Sequence, residues 1–293
     1  MSVSEDVIIA CTRYVLSKSL HDYLTKSNWH ITNHIILDRL YPEERNITSR
    51  MCGLQTSLGT FWEKLAKVLL KINHCVLIDP KSIKEPILMP KAVEDLKQAI
   101  MNKREQNGGS LNDLRQGLDN LTSNDLKANT KSYKIPKGKG ADLIFKKGGK
   151  TYICDTKTVQ VNANNGNTFN ETAIIWLCYY KVKTGLPASV ICPCFVFPYN
   201  SSNELDDSGW WSEFGDRVKP LTKQEVFVGN EFWSLITDNP KALSSIIKGI
   251  DSLRDSDEIK VYREFFACDT KSKLISFSNK VKRNFVRNDD FEI

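Results

Sequence analysis

The chain has 293 residues, of which 41% are hydrophobic and 26% charged, and its formal net charge is +6. This composition is typical of a globular protein with a sizeable core and excludes disordered and fibrous classes. No stretch approaches the roughly 20 apolar residues that span a bilayer, and acidic residues stand where a signal peptide carries positive charge. We therefore expect a cytoplasmic protein without a membrane partner.

The first 130 residues predict a mainly helical region that packs on a core formed by residues 131–293, as one continuous domain. Apolar residues recur in this region at helical spacing. The predicted helices are Glu5–Lys26, one that begins at Gly59-Thr60, Ala92–Lys103 and Leu111–Leu121.

A β-hairpin is predicted where the pattern changes near residue 134. Asp142–Lys147 and Lys150–Val161 are rich in β-branched and aromatic residues, and Gly148-Gly149 separates them. A two-residue Gly-Gly loop between such segments is a strong hairpin signal, because both turn residues take positive φ.

After this hairpin the sequence predicts a parallel crossover. The polar loop Asn162–Asn167 is followed by a helix over Thr168–Lys183 and a strand over Ser189–Phe197. Such an order favours a right-handed βαβ unit. With a further short strand at Glu225–Val228 and mostly helix beyond it, we expect an α/β protein, a mixed sheet flanked by helices with a helical N-terminal region.

Hairpin geometry brings three charged side chains together. With a two-residue loop Lys147 faces Lys150, and continued pairing places Asp142 opposite Asp155, with Cβ atoms about 4.5–5.5 Å apart. Lys157 lies on the same face, because side chains alternate along a strand. Two facing carboxylates repel unless a cation lies between them, and their hard oxygens suit Mg²⁺. The alternative is an exposed face with a surface salt bridge.

The short pattern [DE]-x-K by itself is weak, because it occurs six times in the chain. Asp95 lies in a predicted helix, where residues two apart do not face each other. Asp79 follows an apolar segment, but Pro80 ends it and no hairpin supplies a partner acid. Only Asp155 has both a strand and an opposing carboxylate.

Positive charge is concentrated in two segments, which favours a nucleic-acid partner. Residues 131–157 contain eight lysines and two aspartates, and residues 271–287 contain six basic residues and no acid. For the second segment we favour a solvated helix face. In the first, we expect phosphate contacts from Lys134, Lys137, Lys139, Lys146, Lys147 and Lys150.

Four asparagines follow the predicted strand that contains Asp155 and are candidates for contacts to adenine edges in a DNA groove. Asn-rich loops are also common as simple turns, so both interpretations stay open. The four are Asn162, Asn164, Asn165 and Asn167.

Gly140-Ala141-Asp142-Leu143 followed by Cys154-Asp155-Thr156-Lys157 resembles the PD-(D/E)xK nuclease signature. The similarity is stronger still to the TdeIII-like type II restriction endonucleases, and it extends from Gly59 to Trp233. Two departures are the absence of a proline before Asp142 and an aspartate as the second acid, where glutamate is commoner.

This resemblance implies Mg²⁺-dependent cleavage of double-stranded DNA by a homodimer at a short palindromic site of the GGNCC type. It implies Asp142, Asp155 and Lys157 as the catalytic core and offers Glu63 as a further acid that orders metal or its waters. For Glu63 the alternative is a capping box with Thr60. A cognate DNA methyltransferase is the expected genetic partner.

Two other functions are compatible with the sequence. A structure-specific nuclease of repair or recombination uses the same core, whereas a non-catalytic DNA-binding protein keeps only the basic surface. No glycine-rich phosphate loop or nucleophile elbow is present to support a metabolic enzyme.

Overall fold

The computed structural model describes residues 2–25, 37–40, 42–105, 109–158, 161, 165–202, 207–268 and 271–284. These residues form two compact units. The first, which we call the sheet unit, comprises residues 70–243, and the second, the helical unit, comprises residues 2–69 together with the segment from residue 244 onward. The boundary expected near residue 130 falls within the sheet unit.

The sheet unit contains a sheet of five strands, which confirms the mixed sheet that the sequence predicts. Its order is β1-β4-β5-β6-β7, with β1/β4 and β4/β5 antiparallel and β5/β6 and β6/β7 parallel. A separate antiparallel pair is formed by β2 and β3. The strands are β1 (Val76–Ile78), β2 (Ile87–Pro90), β3 (Thr130–Tyr133), β4 (Leu143–Lys147), β5 (Lys150–Thr156), β6 (Ile191–Phe197) and β7 (Val226–Val228).

The hairpin of β4 and β5 has the predicted turn and register. Gly148 and Gly149 adopt φ values of 56° and 73°, a left-handed conformation that disfavours residues with a Cβ. Lys147 pairs with Lys150 at the turn, and Leu143 pairs with Cys154 at the other end. A one-residue slip would exchange the two faces of the sheet, so this register decides which side chains meet.

The predicted crossover is present as β5, helix α6 (Asn165–Thr184) and the parallel strand β6. The helix begins three residues earlier than predicted, so its first turn includes Asn165 and Asn167, which were predicted to lie in the loop. Its central residues are buried on all sides, including Trp176 and Tyr179, each 0% exposed. An apolar helix of this kind belongs in a protein core, and α6 packs on the face of the sheet that carries Ile153 and Phe195.

Further helices surround this core. Trp210 and Trp211 both lie in one of them, and Trp210 on its apolar face packs on Phe197. Trp210 is therefore a core residue, 2% exposed. The helices are α4 (Lys91–Glu105), α5 (Leu111–Asp119), α7 (Asp207–Val218) and α8 (Asn230–Thr237).

The helical unit has its own apolar core, to which Leu20, Leu24 and Phe265 contribute. The guanidinium of Arg50, 5% exposed, donates to the carbonyls of Phe265 and Cys268, at 2.7 Å each. Its helices are α1 (Glu5–Leu24), α2 (Leu37–Leu40), α3 (Pro42–Ile72), α9 (Ala242–Arg254), α10 (Asp257–Ala267) and α11 (Lys271–Asn284), with the ends of α3 and α9 shared with the sheet unit.

Helix α3 corrects a second prediction. The sequence predicted a helix start at Gly59-Thr60, whereas the helix already begins at Pro42. Among the described residues, no helix combines the length and apolar character that a membrane crossing requires.

Candidate active site

The open end of the hairpin brings Asp142 and Asp155 together. The amide of Asp142 donates to the carbonyl of Cys154 at 2.9 Å, which continues the β4–β5 pairing by one residue. The amide of Thr156 donates to Asp142 Oδ2 at 2.9 Å, and the Asp142 side chain also lies within hydrogen-bonding range of Asp155. The backbone of β5 therefore orients one carboxylate toward the other.

Lys157 completes this group from the end of β5. Its Nζ lies 2.6 Å from Asp155 Oδ2, and the two side chains are 33% and 17% exposed. Its amide donates to the carbonyl of Val196 at 2.8 Å, so the chain stays extended and parallel to β6 through this position. The alternation along β5 consequently places Asp155 and Lys157 on one face, as the sequence predicts.

The electrostatics of this site disfavour two free carboxylates. Burial, followed by the hydrogen-bonding contact with Asp142, raises the pKa of Asp155, although the ammonium of Lys157 acts in the opposite direction. Two like charges in contact at a partly buried position are costly, so the pair either shares a proton or binds a cation. A cation bound between Asp142 and Asp155 would therefore stabilise the site.

These carboxylates fit Mg²⁺. Within the described ranges, no group of three or more histidine, cysteine, aspartate or glutamate side chains is arranged to hold a metal. Asp142 and Asp155 form a two-carboxylate donor set, and Mg²⁺ typically binds through one or two carboxylates while keeping several waters or phosphate oxygens. The donor set is hard and incomplete, which suits an ion whose remaining ligands come from solvent and substrate.

Helix α6 covers the face of the sheet on which the site lies. Asp155 is in register with Phe195 on β6, so their side chains project to the same side. Phe195 stacks against both Phe169 and Trp176 of α6, with ring centroids 4.5 and 5.7 Å apart. The charged group is therefore supported by an aromatic layer, and its Asp155 and Lys157 side chains remain 17% and 33% exposed.

A comparison with protein-family models identifies the chain. The model described as type II restriction endonuclease HinfI matches residues 5–253, which is most of the sequence. The chain belongs to this family. A search of the curated proteins gave no match, and a search of the solved structures gave none either.

Membership of the HinfI family makes the chain a site-specific deoxyribonuclease that acts on DNA. It favours this function over the structure-specific nuclease and the non-catalytic DNA-binding protein. The match is to the HinfI family and gives no separate support for the TdeIII-like subgroup that the motifs resemble. The matched range, residues 5–253, also extends beyond the segment from Gly59 to Trp233 that carries this resemblance.

Glu63, the further acid that the resemblance offers, lies in helix α3 of the helical unit. Its carboxylate is 3.9 Å from Lys67 Nζ, and its side chain is 27% exposed. The capping-box interpretation is wrong, because Thr60 lies far inside α3 and its hydroxyl donates to the carbonyl of Ser57 at 2.9 Å. The metal-binding interpretation of Glu63 stays a prediction.

The predicted phosphate-binding lysines differ in their surroundings. Lys134 and Lys137 are exposed, as are Lys146 and Lys150. Lys139 forms an ion pair with Glu171 of α6 and is 17% exposed. The Lys147 ammonium binds Asp238 Oδ2 at 2.8 Å, so Lys147 already has a partner within this unit.

The four asparagines are not all in a loop. Asn162 and Asn164 lie outside the described residues, whereas Asn165 is the first residue of α6 and Asn167 is exposed in its first turn. In the basic C-terminal segment, the Nζ atom of Lys280 on α11 lies 3.4 Å from Oε2 of Glu264. None of these observations identifies a DNA contact, and the assignments stay predictions.

Two groups that support the site were not predicted from the sequence. The amide that orients Asp142 belongs to Thr156. It is a backbone group, and a pattern of side chains does not indicate which backbone amide will donate a hydrogen bond. Phe169 was also missed, although it lies directly beside Lys157 with its ring centroid 5.8 Å from Nζ. The feature of the sequence that could have indicated Phe169 is its position, one turn into the helix that follows the strand of Asp155.

Proposed function

We propose that this HinfI-family enzyme hydrolyses phosphodiester bonds of double-stranded DNA with Mg²⁺ at a site formed by Asp142, Asp155 and Lys157. The observation that supports this most directly is the convergence of two opposed carboxylates and an ammonium at one end of a hairpin. A partly buried acid whose pKa is raised is typical of a functional site.

The three side chains have distinct roles in this proposal. Asp142 and Asp155 would hold the metal, and the Thr156 amide keeps Asp142 oriented toward it. When bound, Mg²⁺ lowers the pKa of a coordinated water and neutralises charge on the phosphate. Lys157, next to Asp155, orients the attacking water or stabilises the negative charge that develops on the phosphate oxygens.

Three further properties belong to the proposal and rest on the motif resemblance. They are action as a homodimer, a short palindromic target of the GGNCC type, and protection of host DNA by a cognate methyltransferase. Glu63 is proposed to order metal or its waters. Lys134, Lys137 and Lys139 are proposed to bind phosphates, and Asn162, Asn164, Asn165 and Asn167 to face a groove.

The experiment is cleavage of unmethylated viral DNA by the purified full chain, with Mg²⁺ and with EDTA. Asp155→Ala is compared with Asp95→Ala, a matched control because Asp95 begins the same three-residue pattern in α4 and is 62% exposed. We expect discrete bands that require Mg²⁺, persist in Asp95→Ala and disappear in Asp155→Ala.

Each other result has a definite meaning. Cleavage in the presence of EDTA would contradict the proposed dependence on a metal. Cleavage by Asp155→Ala would contradict the proposed active site. A smear contradicts site-specific cutting and points to a structure-specific or nonspecific nuclease. Sequencing the fragment ends tests the target: ends outside GGNCC remove the TdeIII-like specificity and leave the nuclease mechanism intact.

A further inference from the structure

An aromatic ring lies against the ammonium of Lys157. Lys157 Nζ is 5.8 Å from the ring centroid of Phe169, which belongs to the second turn of α6 and is 4% exposed. An ammonium within about 6 Å of a ring centroid is attracted by the negative electrostatic potential of the ring face. In the described part of the chain, Lys157 thus contacts both the Asp155 carboxylate and the Phe169 ring.

The ring itself is held firmly in place. Phe169 stacks on Phe195 with centroids 4.5 Å apart and an interplanar angle of 23°. Phe195 stacks in turn on Trp176, whose Nε1 donates to the carbonyl of Lys139 at 2.8 Å. Since buried aromatic side chains in such a stack have little rotational freedom, Phe169 is a fixed reference point beside a flexible lysine.

A carboxylate alone cannot fix an ammonium in one place. Lysine carries a compact charge on a flexible four-carbon stem, and a single ion pair allows the ammonium to move around the carboxylate oxygens. Phe169 adds an attraction from a second direction, and its position on α6 is independent of β5. Two contacts from different elements define the position of Nζ better than either does alone.

We propose that Phe169 is a positioning residue, which holds the ammonium of Lys157 where the cleavage reaction needs it through the electrostatic potential of its ring. This inference rests on the proposed role of Lys157 in cleavage. The competing explanation is that Phe169 only fills the core, to which it also belongs. The two differ in one respect: filling depends on the size of the ring, whereas positioning depends on its charge distribution.

Fluorination separates these explanations because it withdraws electron density from the ring with little change in size. Mono-, di- and trifluorophenylalanine are incorporated at position 169, and single-turnover cleavage is measured with DNA affinity in EDTA. We expect the cleavage rate to fall stepwise, about three- to tenfold across the series, if a cation–ring attraction of ordinary strength is lost. DNA affinity is expected to stay unchanged.

Position 145 provides a matched control. Phe145 is 0% exposed and stacked on Tyr152, with centroids 4.9 Å apart, on the other face of the same hairpin. The same fluorinated series at this position is expected to leave the cleavage rate unchanged. An equal stepwise loss at both positions would show that fluorination acts through packing and would overturn the inference.

Lys157→Ala distinguishes a failure of this inference from a failure of the proposed function. If Lys157→Ala cleaves normally, Lys157 has no role and the proposed function fails. If Lys157→Ala is inactive while fluorination at Phe169 changes nothing, only the positioning role is overturned. Urea unfolding provides a readout independent of cleavage: fluorination at 169 should lower the midpoint more with Lys157 present than in Lys157→Ala.

Discussion

The same three-residue pattern occurs in a strand and in a helix of the sheet unit, with different results. Asp155 and Lys157, at the end of β5, contact each other at 2.6 Å. Asp95 and Lys97, in α4, turn away from each other: Asp95 pairs with Lys91 at 2.8 Å and Lys97 pairs with Glu94 at 2.6 Å.

Backbone geometry explains the difference. Residues two apart in a strand project to the same face, whereas residues two apart in a helix point in different directions. Burial adds to it, since the Asp155 side chain is 17% exposed and that of Asp95 is 62% exposed. A short motif therefore becomes a candidate active site only when its backbone aligns the side chains and its surroundings partly bury them.

Lysine substitution in the two patterns gives the largest contrast. Lys157→Ala is expected to lower single-turnover cleavage with Mg²⁺ by about a hundredfold, typical of removing one charge-stabilising donor from an active site. Lys97→Ala removes a lysine that pairs with Glu94 and lies 4.9 Å from the Tyr133 ring centroid. It should leave the rate within about twofold, because Glu94 and Tyr133, the two groups that Lys97 contacts here, lie outside the candidate site.

The measurement is the rate with enzyme in excess over a labelled DNA duplex, with folding of each variant checked by circular dichroism. Equal losses in both variants would contradict the distinction between the two patterns.

The strand pattern was predictable because its information is local. Gly148 and Gly149 fix the turn, the alternation fixes the faces, and together they fix the register that opposes Asp142 to Asp155. The start of α6 was placed three residues late, because Asn165 and Gly166 are typical of loops, although here they begin the helix.

Other elements depend on contacts that the sequence does not display. Strand β3 consists of Thr130–Tyr133, which is mostly exposed and pairs with β2. Strand β1 has three residues and pairs with β4, and Asp79 beyond it caps a short 3-10 helix by accepting from the amide of Lys81 at 2.9 Å. The start of α3 was misplaced because Gly59-Thr60 is typical of a helix start, although it lies inside a longer helix.

Helix α6 covers the face of the sheet that carries Asp155 and Lys157. Substitution of Gly166, near the start of this helix, tests how closely the helix must pack. A Cβ on Gly166 would lie 2.5 Å from the carbonyl oxygen of Arg217 and 2.9 Å from that of Lys219. Since backbone atoms cannot move aside cheaply, Gly166→Ala should lower the free energy of unfolding by about 1–3 kcal/mol. It should also slow cleavage, because Phe169 lies in the next turn.

Gly140→Ala is the matched control, measured like Gly166→Ala by urea unfolding. Its Cβ would meet the Lys84 side chain at 3.2 Å, and the flexible end of a lysine can move away. We expect a change below about 0.5 kcal/mol. A loss as large in Gly140→Ala as in Gly166→Ala would show that backbone clash is not the cause.

Changing the acid to its amide should shift stability in opposite directions in the two patterns. The pKa of Asp155 is raised by burial and by Asp142 in spite of Lys157, so the charged form destabilises the fold above that pKa. At pH 8 in EDTA, Asp155→Asn is therefore expected to raise the free energy of unfolding by about 1 kcal/mol. Mg²⁺ should stabilise the wild type more than this variant.

Urea unfolding with and without Mg²⁺ provides the measurement. If Asp155→Asn lowers stability in EDTA, the attraction to Lys157 outweighs the cost of the buried carboxylate pair. The site would then have no unmet need for a cation, and the argument for a metal would lose its electrostatic basis.

The smallest expected effect is that of Asp95→Asn, which completes the comparison. The Asp95 pair with Lys91 joins two side chains that are 62% and 63% exposed and spaced i,i+4, and such pairs stabilise a helix by about 0.3–0.5 kcal/mol. Here the lysine precedes the acid and lies at the N-terminus of α4, an order that opposes the helix dipole. Asp95→Asn should therefore lower the free energy of unfolding by no more than about 0.3 kcal/mol, and half-molar salt should remove the difference. A loss near 1 kcal/mol in urea unfolding would mean that the helical pattern is also a tightly coupled site.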